Sequence, residues 1–287
     1  MFSYRHGFHA GNHADVLKHT ALVTILRHLV LKDTALSFID THAGAGLYRL
    51  DSEQAHTSGE AADGFVRVDS STEALCEALL DYRDLVRGFN RPGLLRHYPG
   101  SPFIAHRLLR PHDRLRLFEL HPTDSRALDG HVRGLRAGRQ ITVLREDGFE
   151  GLAKLLPPPS RRALVLCDPS YEIKSDYARV PALVADALKR FPTGVYFVWH
   201  PIIGRPEAHD LPRKLRTLAT RAGKPWLQAS LTVKSGKNAK GLPASGIFVI
   251  SPPHTLRERL APALAQMAQL LAQDGSAGFN LETSSGA

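Results

Sequence analysis

The stretch from Leu164 to Glu172 reads Leu-Val-Leu-Cys-Asp-Pro-Ser-Tyr-Glu. An apolar run that stops at Asp168-Pro169 predicts a buried parallel strand, because proline cannot continue a ladder. Asp168 then stands at the carboxyl end of that strand, the side of an open α/β sheet on which ligands bind. A carboxylate, a rigid prolyl carbonyl and an aromatic ring suit a flat base that bears an amino group. Asp168 and the Pro169 carbonyl can accept the two N–H hydrogens of an exocyclic amine while Tyr171 stacks on the ring. A lone Asp-Pro is more often a strand followed by a tight turn, so the neighbouring strands decide between the two readings.

Three further strand ends carry residues able to hold a ligand. The apolar segment Ala35 to Asp40 runs into Thr41-His42-Ala43-Gly44-Ala45-Gly46, a loop where backbone can approach a nucleotide-like group closely. Only Gly-x-Gly is present, without the third glycine of a dinucleotide fingerprint. The alternating strand Arg114 to Leu120 carries Glu119 at its end, and Ile141 to Arg145 runs into Glu146-Asp147-Gly148. An acid after the second strand can take ribose hydroxyls, one after the third can accept an adenine amine, and the glycines admit an amino-acid moiety. Acids at strand ends commonly serve as solubilising caps; their order over four successive strands points to an adenosyl cofactor.

The elements that must position these residues follow from periodicity. Residues 1–12 mix aromatics, basic groups and glycines and predict an irregular arm. Asn12 then caps a helix with Asp15 in its first turn and Val16, Leu17, Thr20, Val23, Ile25, Leu26 and Leu29 as a broad apolar face. About seventy residues separate Gly46 from the Arg114 strand, whereas a strand-helix-strand unit needs roughly thirty. The excess predicts a small inserted helical subdomain at 47–96, with one helix over Glu73 to Phe89. Further helices are expected at Phe103 to Leu109, Phe149 to Leu156, Val180 to Phe191, Arg213 to Ala222 and His254 to Gln273. Further strands are expected at Val195 to Trp199, Leu227 to Val233 and Ile247 to Ile250. The fold class is therefore α/β and Rossmann-like: about seven mostly parallel strands with helices on both faces. Residues 1–46 and 97–273 would form the core, and the Gly/Ser-rich 274–287 a disordered tail.

The formal net charge of +9 favours a polyanionic partner. Arg161-Arg162, Arg213 to Arg221 and Lys234 to Lys240 are candidates to hold phosphates, or are simply solvated faces. Two cysteines, Cys76 and Cys167, cannot build a disulfide framework, so a reducing cytoplasm is expected. The N-terminus lacks an apolar signal core, and the best apolar run, Ala21 to Leu31, is broken by Arg27 and His28. Neither secretion nor membrane spanning is expected. The spacing of His6, His9, His13 and His19 fits no standard metal-ligand pattern.

The chain resembles the class I S-adenosylmethionine-dependent methyltransferases, and Asp168-Pro169-Ser170-Tyr171 is similar to the Asp-Pro-Pro-Tyr motif of enzymes that methylate adenine amines. Tyr4-Arg5-His6-Gly7-Phe8-His9-Ala10-Gly11-Asn12-His13-Ala14-Asp15-Val16-Leu17-Lys18-His19, followed by Asp40 to Gly46, closely resembles the RlmJ family. So do Tyr98-Pro99-Gly100-Ser101-Pro102, Glu119-Leu120-His121-Pro122 and Ala244-Ser245-Gly246, within a likeness that runs from Met1 to Pro253. That family methylates N6 of one adenine in bacterial 23S ribosomal RNA. The resemblance implies Asp168 as catalytic carboxylate. It implies His19, His42, Ser101, Glu119, Asp147 and Gly148, with Asp168 itself, around S-adenosyl-L-methionine and its product S-adenosyl-L-homocysteine, beside Gly44 and Gly46 of the glycine loop. Lys18 would lie between cofactor and substrate, and Tyr4, His6, Pro169 and Tyr171 at the substrate adenine. It also implies a cytoplasmic, monomeric enzyme without a metal, acting on naked or partly assembled 23S RNA.

One position departs from the family pattern. Ser170 replaces the second proline, which restores an N–H and frees the backbone φ. Asp168, Pro169 and Tyr171 remain, so activity is expected to persist. Two alternatives stand beside this reading: adenine methylation of DNA or of another RNA, and an RNA-binding protein in which Ser170 has abolished the chemistry.

Overall fold

The computed structural model describes residues 6–236 and 241–284. The chain enters through α1 (His13–Leu29), whose N-cap Asn12 accepts the Asp15 amide at 3.0 Å. Every residue of α1 from His13 to Leu26 is buried, because other elements cover it on all sides. Strand β1 (Ser37–Asp40) follows. The insertion comprises β2 (Leu47–Arg49), α2 (Glu53–Ser58), α3 (Phe65–Asp69), α4 (Glu77–Arg87) and β3 (His97–Pro99). Then come α5 (Ser101–Leu108), β4 (Arg114–Phe118), α6 (Pro122–Gly134), β5 (Ile141–Leu144), α7 (Gly148–Gly151) and β6 (Ala163–Cys167). The chain closes with α8 (Asp176–Arg190), β7 (Val195–Ile202), α9 (Pro206–Arg221), β8 (Trp226–Thr232), β9 (Ala244–Ile250), α10 (Leu256–Leu270) and β10 (Gly278–Thr283).

Eight strands form one sheet in the order β10-β8-β9-β7-β6-β1-β4-β5. The neighbours from β5 through β7 pair in parallel, while β9 runs antiparallel to both β7 and β8. Period-two alternation sorts side chains between the two faces. Phe38, Leu164 and Leu166 join the core beneath α1, α4, α5 and α10, whereas Ile39, Val165 and Cys167 face α8 and α9. After β1 the chain builds outward through β4 and β5, then returns to add β6 and β7 on the other side of β1. β1 and β6 stay paired to their carboxyl ends, and the loops that leave them run in opposite directions and open a crevice. Asp40 closes β1 and Asp168 follows β6 directly, so both sit at that crevice.

Two expectations change. Residues 278–283 are an ordered edge strand, β10, antiparallel to β8 with Leu281 opposite Ala229, so the sheet has eight strands and not about seven. Leu281 packs against the core, and Glu282 pairs with Arg216 at 2.6 Å. The Gly/Ser content of the tail marks the turn before this strand, and residues 285–287 lie outside those described. The insertion is also more than helices, since β2 and β3 form an antiparallel ribbon at its base. Its Phe65, Val68, Leu79 and Tyr82 share one core with Val16 and Leu22 of α1.

Candidate active site

A cleft of about 1180 Å³, open mouth included, lies at the switch point. Backbone amides fix its acids. Glu119, past the end of β4, accepts the Gly44 amide at 2.8 Å and the His121 amide at 2.7 Å. The acid of one strand thus holds the glycine loop of its neighbour, and burial raises the Glu119 pKa. Asp147 caps α7 through the Phe149 amide at 2.9 Å, and Arg179 donates to its other oxygen at 2.7 Å. A Cβ on Gly148 would stand 2.0 Å from the Thr41 carbonyl, so only glycine lets these two loops meet. Asp40 is fully buried, accepting Ser101 Oγ at 2.6 Å and the His42 amide at 3.1 Å; burial pushes its pKa up to about 7. It does not line the cleft but aims two residues that do. Burial pushes His42 down to about 4, leaving the imidazole neutral, with Nδ1 2.8 Å from Thr41 Oγ1.

At the inner wall a run of charges crosses the crevice. Lys18 Nζ lies 2.5 Å from Asp168 Oδ2 and 2.9 Å from Asp15 Oδ1. Asp15 also receives the Gly11 amide at 2.9 Å and stands 3.0 Å from His6 Nε2. Burial opposes the Lys18 charge, yet Asp15 and Asp168 outweigh it and hold the pKa above that of an ordinary lysine. Burial likewise opposes the Asp15 charge, and His6 and Lys18 hold its pKa well below the usual range. His19 takes the opposite course: burial pushes it down to about 3, and its Nδ1 meets Tyr98 Oη at 2.8 Å.

Asp168 also lines a second cavity, of about 870 Å³ open space, shared with His6, Lys18 and Ser170. Tyr171 belongs to this cavity and not to the first cleft. Its φ of 55° is a left-handed conformation uncommon for a large residue. Its hydroxyl donates to the Trp199 carbonyl at 2.7 Å, and its buried ring lies 4.8 Å from that of Tyr177. Trp199, in strand β7, adds a second aromatic wall, 6.0 Å from Lys18 Nζ.

The family model described as "Ribosomal RNA large subunit methyltransferase D, RlmJ" matches residues 33–282. Ribosomal RNA large subunit methyltransferase J of Escherichia coli K12 is 42% identical over 276 residues, covering 96% of each chain. The protein of the same name from Haemophilus influenzae is 38% identical over 283 residues, covering 98% of each. The crystal structure of protein LPL1258 from Legionella pneumophila superposes with a TM-score of 0.88 at 32% identity, covering 97% of this chain and 99% of that one. The chain belongs to the RlmJ family.

The residues that family resemblance nominated gather as follows. His6, Lys18, His19, His42, Gly44 and Ser101 line the first cleft, as do Glu119, Asp147, Gly148, Asp168 and Pro169. Gly46 does not: its φ of 79° turns the chain against Phe103 and Leu128 behind the loop. Tyr4 falls outside the described residues, as do residues 237–240 of the lysine-rich segment. Arg162 is no phosphate ligand. Its guanidinium donates to the Leu29, Lys32 and Thr34 carbonyls at the end of α1, at the opposite end of β6 from Asp168. The N-terminal histidines diverge to Asp15, Glu60, the Leu242 carbonyl and Tyr98, and among the described residues no cluster is arranged to hold a metal ion. No described helix is long and apolar enough to cross a membrane.

The first cleft fits S-adenosylmethionine. Glu119 and Asp147 retain acceptor positions for hydroxyls and an amine. Leu120 is 42% exposed beside Phe149 and offers apolar surface to a ring. His19 Nε2 is a buried nitrogen without a hydrogen-bond partner, 3.9 Å from Asp15 Oδ1, at the same cleft. Asp15, Leu120, Trp199 and Arg179 escaped the sequence reading. Asp15 stood there as a first-turn acid of a helix, and Leu120 and Trp199 as strand residues.

Proposed function

We propose that this chain transfers a methyl group from S-adenosylmethionine to the N6 amine of an adenine in 23S ribosomal RNA. The observation that carries the reading is Asp168 in the wall common to two cavities, with one carboxylate oxygen held by Lys18. The cofactor, when bound, supplies an electrophilic methyl on a sulfonium, whose departure as a thioether needs no metal. The adenine amine is a poor nucleophile because its lone pair is delocalised into the ring. The free oxygen of Asp168 and the Pro169 carbonyl would accept its two hydrogens and draw the nitrogen toward tetrahedral geometry, with the lone pair directed at the methyl. Lys18, braced by Asp15, fixes the Asp168 carboxylate in that orientation. Asp168 then takes the proton that the methylated amine releases.

A base reaches the second cavity only after leaving its stack, so the substrate is an unstacked or flipped adenosine. The net charge of +9 supports an RNA partner. In this reading the enzyme acts as a monomer on protein-free or partly assembled 23S RNA. The test is transfer of labelled methyl to protein-free, unmodified 23S RNA, with the labelled nucleotide mapped and Asp168→Asn run in parallel. Label at N6 of a single adenine, lost in the variant, is expected. Cofactor binding with no label on 23S RNA sinks the reading; label on adenine in DNA or in another RNA replaces its substrate.

A further inference from the structure

The charges of the second cavity are unevenly matched. Lys18 is held by two carboxylates, and His9 lies 3.0 Å from Glu60. Arg205 lines the same cavity, is exposed, and pairs with no carboxylate among the described residues. Among the described residues its guanidinium makes one hydrogen bond, from Nη1 to the Tyr171 carbonyl at 3.5 Å, long enough to yield easily. The acid nearest in sequence, Glu207, has its ion-pair contact with Lys174 at 3.6 Å and feels Arg205 only through a longer-range attraction. Arg205 caps α9 through its backbone, and a cation at that end gains nothing from the helix dipole.

Its position relative to the other lining residues assigns it a task. Trp199 and Pro201 alternate along β7, Ile203 follows its end and Arg205 comes after a tight turn at Gly204; all four line this cavity. The series begins at Trp199, beside Lys18 and the inner end, and finishes on a guanidinium. Tyr171, whose carbonyl Arg205 touches, is three residues from Asp168, so the two lie no more than roughly 11 Å apart along the chain. Carboxylate, aromatic and apolar wall, then cation is the order in which an adenosine entering amine first presents amine, base and phosphate. We propose that Arg205 binds a phosphate flanking the target adenosine, by the paired N–H bonds a guanidinium offers to phosphate oxygens. This rests on the reading of the cavity as the place of the flipped base, and makes Arg205 a residue that selects a nucleotide over a free nucleoside.

The experiment compares wild type with Arg205→Gln and Arg205→Lys. KM and kcat are measured on protein-free 23S RNA, and AMP and adenosine are titrated as competitors. S-adenosylhomocysteine affinity reports on the first cleft, which Arg205 does not line. In Arg205→Gln, KM is expected to rise by about tenfold, with the lysine variant between, since it keeps charge without the paired geometry. AMP should outcompete adenosine on the wild type and lose that advantage in Arg205→Gln. An unchanged KM overturns the proposal, and so does a KM increase with the AMP preference intact, which a general loss of surface charge would produce. If the wild type methylates no RNA adenine, the functional reading fails. Direct binding of AMP against adenosine, followed by calorimetry on wild type and Arg205→Gln, then still judges the phosphate site separately.

Discussion

The two cavities that meet at Asp168 are built in opposite ways. At the cofactor cleft the acids are held mainly by backbone amides of adjacent loops: Glu119 by Gly44 and His121, Asp147 by Phe149 and, behind the wall, Asp40 by His42. In the second cavity the charged groups hold one another: Asp168 by Lys18, Lys18 by Asp15, Asp15 by His6, His9 by Glu60. The first kind of site comes with the fold and tolerates loss of one acid. The second is a set of paired charges, buried at Lys18 and Asp15 and half-exposed at His9 and Glu60, drawn from the arm, α1, the insertion and the end of β6, in which each member depends on its partner. Cofactor affinity and base handling should therefore respond separately to substitution.

The sharpest break is Asp168→Asn, expected to lower kcat by about 10²–10⁴ while S-adenosylhomocysteine affinity holds. Activity above a tenth of wild type would remove Asp168 from proton transfer. Next is Lys18→Met, which leaves Asp15 and Asp168 facing each other without their cation. Breaking a buried pair in this way costs about 3–5 kcal/mol, readable as a lowered denaturant midpoint. Glu119→Gln, its counterpart in the cofactor cleft, keeps an oxygen for one amide and should cost only about 1 kcal/mol while weakening cofactor binding. Equal stability losses in Lys18→Met and Glu119→Gln would erase the contrast.

The same contrast governs what the sequence disclosed. Strand ends at Asp40, Glu119, Asp147 and Asp168 are legible because an apolar run ending in an acid has one place to go in a doubly wound sheet. The charge chain is not, because its links join positions up to 150 residues apart and only the fold brings them together. Asp15 read as an ordinary first-turn acid of α1. Arg162 read as half of a basic patch, although three carbonyls at the end of α1 claim it. Helix α6 escaped notice because, of its apolar residues, only Leu128 is deeply buried, too few to show a period. Strand β10 was hidden by the glycines and serines around it.

Asp40→Asn tests the cofactor side through pH. Its folded pKa of about 7 exceeds the unfolded 3.8, so the native state keeps a proton that the unfolded chain releases. Stability contributed by this group is therefore full below pH 4, falls between about pH 4 and 7, and is flat above, on the order of 1 kcal/mol per pKa unit. Thermal melts of wild type and Asp40→Asn across that window should converge at the acid end and separate toward neutrality, with the variant losing less. Parallel curves would mean that Asp40 is ionised throughout.

Glu60→Gln makes the smallest change and tests the other side. Its bond to Glu60, first among the causes, raises the His9 pKa above 6.5. That stabilisation is fully present below pH 6.5 and disappears as pH rises through the raised folded value. Both side chains are partly exposed, at 37% and 28%, so water screens the pair and the loss should be only about 0.2–1 kcal/mol. The signature is its direction: the His9 ring titration, followed by NMR, should move down in Glu60→Gln, and the stability difference from wild type should close above neutral pH. Because Glu60 also accepts the Asn12 amide group at 2.9 Å, a residual pH-independent loss would measure that second tie between insertion and arm. A His9 titration that stays in place would show that the insertion does not hold the arm through charge, and would confine the interdependent chain to Asp168, Lys18, Asp15 and His6.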